Sequence, residues 1–389
     1  MDISAIQAAI SGAGFDGWLF YDHHHRDPLA YSILGLDPTM HVTRRWFYLI
    51  PATGEPRKLV HRIEGGRLDT LPGTKAEYSA WQELEARLEE MLAGGTRLAM
   101  QYSPRNAIMY VSMVDAGTIE LLREMGKEIV SSADLVSQFE AVLSDSQLQT
   151  HYAAQVKIDR ILAEAWPHMG AAARGSGIDE FAMVQWLSEA MRREGMVWEH
   201  GPNVSCGPNA ADSHYEPAAE NSKAIHKGDF VLIDIWGKLD QPSAVYYDIT
   251  WTGVVDREPT EKEQTVFNAV RGARDAAIAT IKAAYANQQQ IAGWQADDAA
   301  RNVIRAAGYG DWFTHRTGHN IGPEIHGAGA HLDNLETHDV RLILPNTCFS
   351  VEPGVYFPGE FGVRSEVNMI TRPGRAEVTG RIQTELVRI

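Results

Sequence analysis

Two aspartates lie inside apolar runs that are typical of buried strands. Asp234 is in Val231-Leu-Ile-Asp-Ile235, and Asp248 is in Val245-Tyr-Tyr-Asp-Ile-Thr-Trp251. An ionised carboxylate in an apolar strand is costly unless it is paired or bound to a metal ion. Because residues 237–243 between the runs are rich in turn formers, a hairpin is predicted, with the aspartates on neighbouring strands. The alternative is two unrelated polar positions.

Histidines and glutamates follow the aspartates in order along the chain. The segment His315-Arg-Thr-Gly-His-Asn-Ile-Gly322 carries His315 and His319, and His326 comes seven residues later. Gly318, Gly322 and Pro323 predict irregular backbone rather than a helix. A lone histidine is more often structural than functional, but three so close together among glycines favour a site. His331 and His338 are interpreted as bystanders.

Two glutamates complete the set. Glu352 precedes Pro353-Gly354, and Glu366 lies in Val363-Arg-Ser-Glu-Val-Asn-Met369. The period of two along a strand would place Arg364, Glu366 and Asn368 on one face. Glu352 and Arg364 could also form an ordinary salt bridge.

Four carboxylates and one imidazole could together hold two divalent ions, with two carboxylates bridging them. Oxygen donors with one imidazole suit Mn²⁺, Co²⁺, Fe²⁺ or Zn²⁺. The candidate ligands are Asp234, Asp248, His319, Glu352 and Glu366.

Bulk properties limit the possible partners and location. A length of 389 residues suits two domains, and a net charge of −16 argues against nucleic acid as a partner. The two cysteines, Cys206 and Cys348, imply no disulfide framework and favour a reducing compartment. No secretory leader and no apolar run of membrane-spanning length is visible, so a cytoplasmic protein with no membrane partner is expected.

Hydrophobic periodicity predicts an α/β unit followed by a mixed unit. Strands are expected at 18–21, 46–50 and 98–100, and a helix at 80–92, in the first unit. Helices are expected at about 136–170 and from 177–180 to about 193. Two more are expected, one beginning after a capping-box pattern at 260–263 and one at about 295–307. The domain boundary is placed near residues 143–145.

The order Asp, Asp, Gly-His-x-Ile-Gly, Glu-Pro-Gly-x-Tyr, Gly-Val-Arg-x-Glu resembles that of the M24 metallopeptidases. These include Xaa-Pro aminopeptidase, Xaa-Pro dipeptidase (prolidase) and methionine aminopeptidase. The resemblance covers about residues 145–389. Residues 1–140 resemble, more weakly, the creatinase-type N-terminal domain of the proline-specific branch. The resemblance implies an α+β protein: a pita-bread catalytic domain at 144–389 after a smaller α/β domain at 1–143.

The resemblance also implies roles for individual residues. Asp234 would hold one ion, His319 and Glu352 the other, and Asp248 and Glu366 would bridge them. The ions, Mn²⁺ or Co²⁺ first and Zn²⁺ or Fe²⁺ next, would share a hydroxide that attacks an Xaa-Pro bond. Glu352 would also carry the proton to the leaving nitrogen. The resemblance assigns further site residues: His214 on the substrate side, His315 and His326 at the scissile amide or oxyanion, and Arg364 supporting the bridging glutamate.

Three differences separate this chain from the family pattern. Gly327 replaces an acidic residue, Trp251 replaces an arginine, and the loop between the two aspartates is longer than usual. The first two are expected to alter the pocket. A non-peptidase C–N hydrolase or lyase of a small molecule on the same fold, like creatinase, is the first alternative, since fold does not fix function. Creatinase acts without metal, so the complete ligand set favours a peptidase. A metal-free binding module is the second alternative, and it should have lost ligands.

The segment Asp22-His-His-His-Arg-Asp27 is the one cluster in residues 1–140 with groups able to bind a peptide carboxylate. In the family branch that the chain resembles, a partner subunit's N-terminal domain commonly narrows the pocket. A homodimer is therefore expected, with His23 to Arg26 near the other subunit's pocket. The alternative is a solvated loop.

Overall fold

The computed structural model describes residues 1–389, which divide into two compact units, Met1–Glu140 and Ala141–Ile389. In the first unit the helices are α1 Ile3–Gly12, α2 Pro28–Leu34, α3 Trp81–Met91, α4 Ala116–Glu124 and α5 Ala133–Val136. The strands are β1 Gly17–Asp22, β2 Trp46–Pro51, β3 Arg57–His61, β4 Thr74–Tyr78, β5 Arg97–Met100 and β6 Glu128–Ser131.

The first unit is a six-stranded mixed sheet in the order β4-β3-β2-β1-β5-β6. Every residue of β1 and β2 is buried, which explains why both strands are apolar without alternation. One face of the sheet packs against α3 and α4 through a cluster that includes Leu19, Phe47, Leu84 and Ile119. The strands and the helix predicted in this unit are confirmed.

The second unit contains four long helices and eleven strands. The helices are α6 Asp145–Arg174, α7 Glu180–Arg193, α8 Glu261–Ala286 and α9 Gly293–Ala306. The strands are β7 Met196–Val197, β8 Asn203–Cys206, β9 Phe230–Leu239, β10 Tyr247–Val254, β11 Asn320–Ile321, β12 Cys348–Val351, β13 Gly354–Phe357, β14 Phe361–Arg364, β15 Val367–Arg372, β16 Arg375–Thr379 and β17 Val387–Arg388.

Two larger sheets and one hairpin organise this unit. One sheet has the order β17-β10-β9-β7 with β8 also paired to β9, and the other has the order β11-β12-β15-β16. The helices α6 and α7 pack against the first sheet, and α8 and α9 form a second core with residues of the other strands. Thr260 caps α8 through the predicted capping box: its side chain accepts from the Glu263 N–H, and Glu263 accepts from the Thr260 N–H.

The predicted hairpin is confirmed, because β9 and β10 pair antiparallel. The expected single strand through Arg364 and Glu366 is wrong. β14 ends at Arg364 and β15 begins at Val367, so Glu366 lies at the junction between two sheets. The Glu366 N–H donates to the Thr250 carbonyl there, at 3.1 Å, instead of to the β13–β14 hairpin.

None of the helices is both long and apolar enough to cross a membrane. Cys206 and Cys348 are free and buried.

Candidate metal centre

The hairpin places the two aspartates on adjacent strands, two positions out of register. Thr250 lies directly opposite Asp234, and Asp248 precedes Thr250 by two residues on the same face of β10. The side chain of Asn368 fixes the backbone of Asp248: its Oδ1 accepts from the Asp248 N–H and its Nδ2 donates to the Asp248 carbonyl, both at 2.8 Å. This pair of bonds ties β10 to β15.

His319 and Glu352 are positioned by Ser350. The Ser350 hydroxyl oxygen accepts from the His319 N–H at 2.9 Å, and the hydroxyl donates to Glu352 Oε1 at 3.0 Å. The chain can approach this closely because residue 318 is glycine: a Cβ there would lie 2.0 Å from the Ser350 carbonyl oxygen. The backbone from 315 to 319 is irregular, as predicted.

The donor atoms of the predicted ligands converge. One donor atom each from Asp248, His319 and Glu366 lie within 4.8 Å of one another. His319 Nε2 is 3.6 Å from Asp248 Oδ2 and 3.4 Å from Glu352 Oε1. Two donors that share one ion at about 2.1 Å from each lie roughly 3–3.5 Å apart, so these separations suit a shared cation.

Two buried oxygens support a cation at this place. Asp248 Oδ1 and Glu366 Oε1 are inaccessible to solvent and have no hydrogen-bond partner in the protein. An unpartnered buried carboxylate oxygen is costly, and a metal ion supplies the missing partner. The residues present therefore fit a divalent metal centre.

Thr250 lies between two of the candidate ligands. Its hydroxyl oxygen is 2.8 Å from both Asp234 Oδ1 and Glu366 Oε2, and it accepts from Arg364 Nε at 2.9 Å. A hydroxyl carries one proton, so it can donate to one of the two carboxylates at a time. Arg364 also donates to Asp234 Oδ2.

The electrostatics distinguish the carboxylates. Burial raises the pKa of Asp248 and of Glu366 well above the ordinary values, and repulsion from neighbouring carboxylates adds to the effect. Burial also raises the pKa of Asp234, although Arg364 opposes it. Burial alone would raise the pKa of Glu352, but His319 and Arg364 bring it below its ordinary value. Glu352 therefore holds its negative charge most firmly.

Both histidines of the His315-to-His319 segment favour the neutral form. Burial lowers the pKa of His319, which suits a metal ligand, and lowers that of His315 to about 4. His315 Nδ1 is 2.7 Å from the Arg316 carbonyl oxygen and must donate to it, so Nε2 accepts from the Tyr356 hydroxyl at 2.8 Å. The Tyr356 oxygen is in turn 3.4 Å from Arg364 NH1.

His326 lies beside His319, and the electrostatic effect of His214 reaches His326. The side chains of His214 and His326 are exposed. The His326 ring packs edge-on against that of His319, with the centroids 4.4 Å apart. The structure thus brings the five ligand candidates, His315, His326 and Arg364 into one region of the second unit. Arg364 contacts Asp234 directly, and its Nε is 4.0 Å from Glu352 Oε2, so an isolated Glu352–Arg364 salt bridge does not describe it.

Gly327 and Trp251, the two residues that differ from the family pattern, lie in different surroundings. A Cβ at Gly327 would lie 2.3 Å from Asn320 Oδ1, so the Asn320 amide occupies the space a side chain would need. Trp251 packs with Tyr247 and Ile249 on the face of β10 opposite Asp248 and Thr250. The Trp251 side chain therefore lies on the face of β10 that does not carry the candidate ligand.

Sequence reasoning missed several supporting residues. Thr250, Ser350, Tyr356 and Asn368 all contact candidate ligands or their partners, and the Nδ1 of the buried His331 accepts from the Asn320 N–H at 3.0 Å. A signal existed for two of them. Thr250 and Ser350 are each two residues from a candidate ligand and are hydroxyl residues in apolar strands, where a polar side chain needs a partner.

Comparison with known proteins identifies the class. A model of metallopeptidase family M24 matches residues 151–373, more than half of the chain. The chain belongs to this family, as the motif order predicted, and is a metallopeptidase by that membership, which implies divalent metal ions.

Individual relatives agree with this assignment. The chain is 26% identical over 336 residues to a probable dipeptidase PepE of Mycobacterium tuberculosis, which covers 85% of this chain and 82% of that protein. It is 30% identical over 209 residues to an Xaa-Pro dipeptidase of Lactobacillus delbrueckii subsp. lactis, covering 53% of this chain and 52% of the relative.

Solved structures confirm the predicted α+β class and pita-bread fold. The crystal structure of dipeptidase PepE from Mycobacterium ulcerans superposes with a TM-score of 0.72 at 23% identity, covering 100% of this chain and 96% of that one. Recombinant prolidase from Thermococcus sibiricus gives a TM-score of 0.66 at 21% identity, with 100% of both chains covered.

Proposed function

We propose that this metallopeptidase is a dinuclear hydrolase of Xaa-Pro bonds, with an N-terminal domain at residues 1–143 and a catalytic domain at 144–389. The observation that carries the metal-dependent part is the pair of unpartnered buried oxygens, Asp248 Oδ1 and Glu366 Oε1, beside neutral His319. The Xaa-Pro part rests on the relatives, among them Xaa-Pro dipeptidases of two Lactobacillus species.

Five residues would hold the two ions. Asp234 would bind one ion, and His319 with Glu352 the other. Asp248 and Glu366 are the natural bridging ligands, because each has one buried oxygen left without a protein partner. Oxygen-rich donors favour Mn²⁺ or Co²⁺, with Zn²⁺ and Fe²⁺ as further candidates.

When bound, the ions supply an activated water and polarise the substrate carbonyl. Glu352 is the residue best suited to move a proton to the leaving nitrogen, because it remains a carboxylate next to His319 and Arg364. His326, exposed beside His319, can donate a hydrogen bond to the carbonyl oxygen as charge develops there. His214 is exposed and available to the substrate.

The contacts of His315 and Arg364 support narrower tasks for these two residues within this proposal. Both ring nitrogens of His315 are engaged, so contact with the scissile amide requires the Tyr356 hydroxyl to release Nε2. Arg364 orients Asp234 directly and reaches Glu366 through the Thr250 hydroxyl.

Ligand replacement tests the proposal. Asp234→Ala and His319→Ala should each lower the metal content and abolish hydrolysis of Xaa-Pro dipeptides, because the remaining carboxylates repel one another without full neutralisation. His338→Ala is the matched control, since His338 is exposed and bonds to Asn334 instead of to the centre. Two equivalents of metal in both variants, with normal turnover, would contradict the ligand assignment.

A substrate panel tests the specificity. Xaa-Pro dipeptides, longer Xaa-Pro peptides, and amidino or acylated small molecules should be compared with Mn²⁺, Co²⁺ and Zn²⁺. Cleavage of the small molecules without cleavage of any peptide would favour the non-peptidase alternative.

The same proposal includes a homodimer in which the loop after β1 restricts substrate length. The Asp22 carboxylate accepts from the N–H groups of His25, Arg26 and Asp27 and from the Tyr31 hydroxyl, so the loop is held from within. His24 and His25 have φ angles of 62° and 55°, and the side chains of His24, His25 and Arg26 are exposed. An ordered loop with outward-facing basic side chains supports a role in contact with a peptide carboxylate.

Replacing His24, His25 and Arg26 together with alanine should reduce the preference for short peptides at constant metal content. A monomer by light scattering, or an unchanged length preference, would exclude the role of this loop.

A further inference from the structure

A cleft in the first unit is lined by two arginines and two histidines and contains none of the candidate metal ligands. Its volume is about 240 Å³. The lining residues are His23, Thr43, Arg44, Arg45, His61, Tyr78, Ser79 and Trp81. A neighbouring cleft of about 400 Å³ shares His23 and Arg45 and adds Arg26. The two clefts therefore share a wall formed by His23 and Arg45, of which Arg45 carries the positive charge.

No ion pair balances the two arginines of this cleft, although Asp115 lines the neighbouring cleft together with Arg45. No carboxylate lines the smaller cleft. Neither Arg44 nor Arg45 forms an ion pair, although the chain has 51 acidic and 35 basic residues. Arg45 is half-buried. A cation that is partly removed from water without a counter-ion is costly, so an anion would stabilise this arrangement.

Hydrogen bonds with Glu64 and Tyr78 hold the segment that carries the two arginines. The buried Glu64 carboxylate accepts from the N–H groups of Thr43 and Arg44, at 2.9 and 3.2 Å, and from the Thr43 hydroxyl at 2.6 Å. The Tyr78 hydroxyl donates to the Arg45 carbonyl at 2.8 Å. Glu64 also faces Arg67, at 3.8 Å. The Glu64 carboxylate is therefore engaged with the backbone, and it holds the segment that carries Arg44 and Arg45 in place.

We propose that the cleft lined by His23, Arg44, Arg45 and His61 binds a small oxyanion, carried by a phosphate or a carboxylate. The planar guanidinium groups of Arg44 and Arg45 suit bidentate contact with either group. The volume lies below the roughly 300–1,000 Å³ of pockets for drug-sized ligands, which favours a small molecule. The exposed Trp81 ring adds an apolar rim. The residues of this site lie in the first unit, and the candidate metal ligands lie in the second.

Calorimetric titration of the metal-loaded enzyme tests the site, with inorganic phosphate and succinate as separate probes. Arg44→Gln/Arg45→Gln should weaken binding at least about tenfold, the loss expected for charge-assisted hydrogen bonds. Arg105→Gln is the matched control, because Arg105 is also exposed, has no ion pair and does not line the cleft. The tighter-binding probe identifies phosphate or carboxylate as the preferred group.

His319→Ala separates this cleft from the metal centre, where both probes could also bind. Binding that survives in His319→Ala and Arg105→Gln but is lost in Arg44→Gln/Arg45→Gln supports the proposal. No binding of either probe at 10 mM, or loss in His319→Ala alone, would overturn it. The proposal would also be overturned if neither probe binds and Arg44→Gln/Arg45→Gln converts a dimer to a monomer in light scattering. The two arginines would then form a contact between subunits. If the double variant does not fold, Arg45→Gln alone provides the same comparison.

Discussion

Replacing Thr250 with valine removes one oxygen atom from the metal centre and leaves the shape of the side chain nearly unchanged. That oxygen is 2.8 Å from an oxygen of Asp234 and from one of Glu366, and it accepts from Arg364. Its loss leaves one carboxylate without a donor and the Arg364 Nε without an acceptor. Thr250→Val should therefore loosen two candidate ligands at once.

The expected magnitude follows from these contacts. A hydrogen bond to a charged group contributes about 1.5–3 kcal/mol. Removing a partner that orients metal ligands typically lowers metal affinity or activity about 10–100-fold. This loss corresponds to a free energy of roughly 1.4–2.7 kcal/mol, which agrees with the contribution of one such hydrogen bond. We expect Thr250→Val to weaken Mn²⁺ binding and to lower kcat/KM by 10–100-fold. Both are measured with metal-stripped enzyme titrated with Mn²⁺ and an Xaa-Pro dipeptide.

Thr252→Val is a matched control on the same face of β10. Thr252 is fully buried, and its hydroxyl oxygen has no hydrogen-bond partner. The same substitution there removes no contact to a ligand and should leave metal affinity unchanged. If both variants bind Mn²⁺ and turn over like the wild type, the Thr250 hydroxyl does not orient the centre and the reasoning is wrong.

Three further predictions concern other parts of the chain. Glu352→Gln should lower kcat by about 10²–10⁴-fold with little change in KM, because the group acts in the transition state; unchanged kcat at full metal content would exclude the proton transfer. Burial raises the pKa of Asp27 from 3.8 to about 7, so the folded chain binds the extra proton between these values and stability falls as the pH rises through them. Asp27→Asn should remove the contribution of Asp27 to this fall, up to about 4 kcal/mol at pH 8, in denaturant titrations across pH 4–8; an unchanged slope would contradict it. Gly327→Ala should destabilise the fold by about 2–4 kcal/mol in thermal melts, because it would displace Asn320 from its hydrogen bonds to Gly329 and Cys348. Gly322→Ala should cost little in the same melts, because a Cβ there would have no atom closer than 4.0 Å. Equal melting temperatures for the two glycine variants would show that Asn320 can move aside at no cost.

Local sequence patterns predicted the parts of the site that depend on local structure. The hairpin that carries Asp234 and Asp248 follows from two apolar runs and a turn, and both strands form as expected. The irregular backbone around His319 follows from its glycines. The family pattern predicted which residues would converge, because it records contacts that one chain's periodicity does not.

Contacts between distant segments could not be predicted in this way. Thr250 meets Glu366 across 116 residues, and Asn368 meets Asp248 across 120. Period two predicts which side chains share a face, but the element opposite that face depends on how the sheets assemble. The same limit explains the error at Glu366. The alternation of residues 363–369 is compatible with one strand, while the actual break depends on the Thr250 carbonyl, which accepts the Glu366 N–H.

The charges of the candidate ligands support the proposal of two ions. Asp234, Asp248, Glu352 and Glu366 carry four negative charges when ionised, and the neutral His319 adds none. Arg364 contributes one positive charge, and one divalent ion would still leave the buried cluster negative. Burial raises the pKa values of Asp248 and Glu366, and the neighbouring carboxylates raise them further. Two divalent ions would cancel the four carboxylates and, with Arg364, leave a single positive charge, which suits the negative charge that develops on a carbonyl oxygen during hydrolysis.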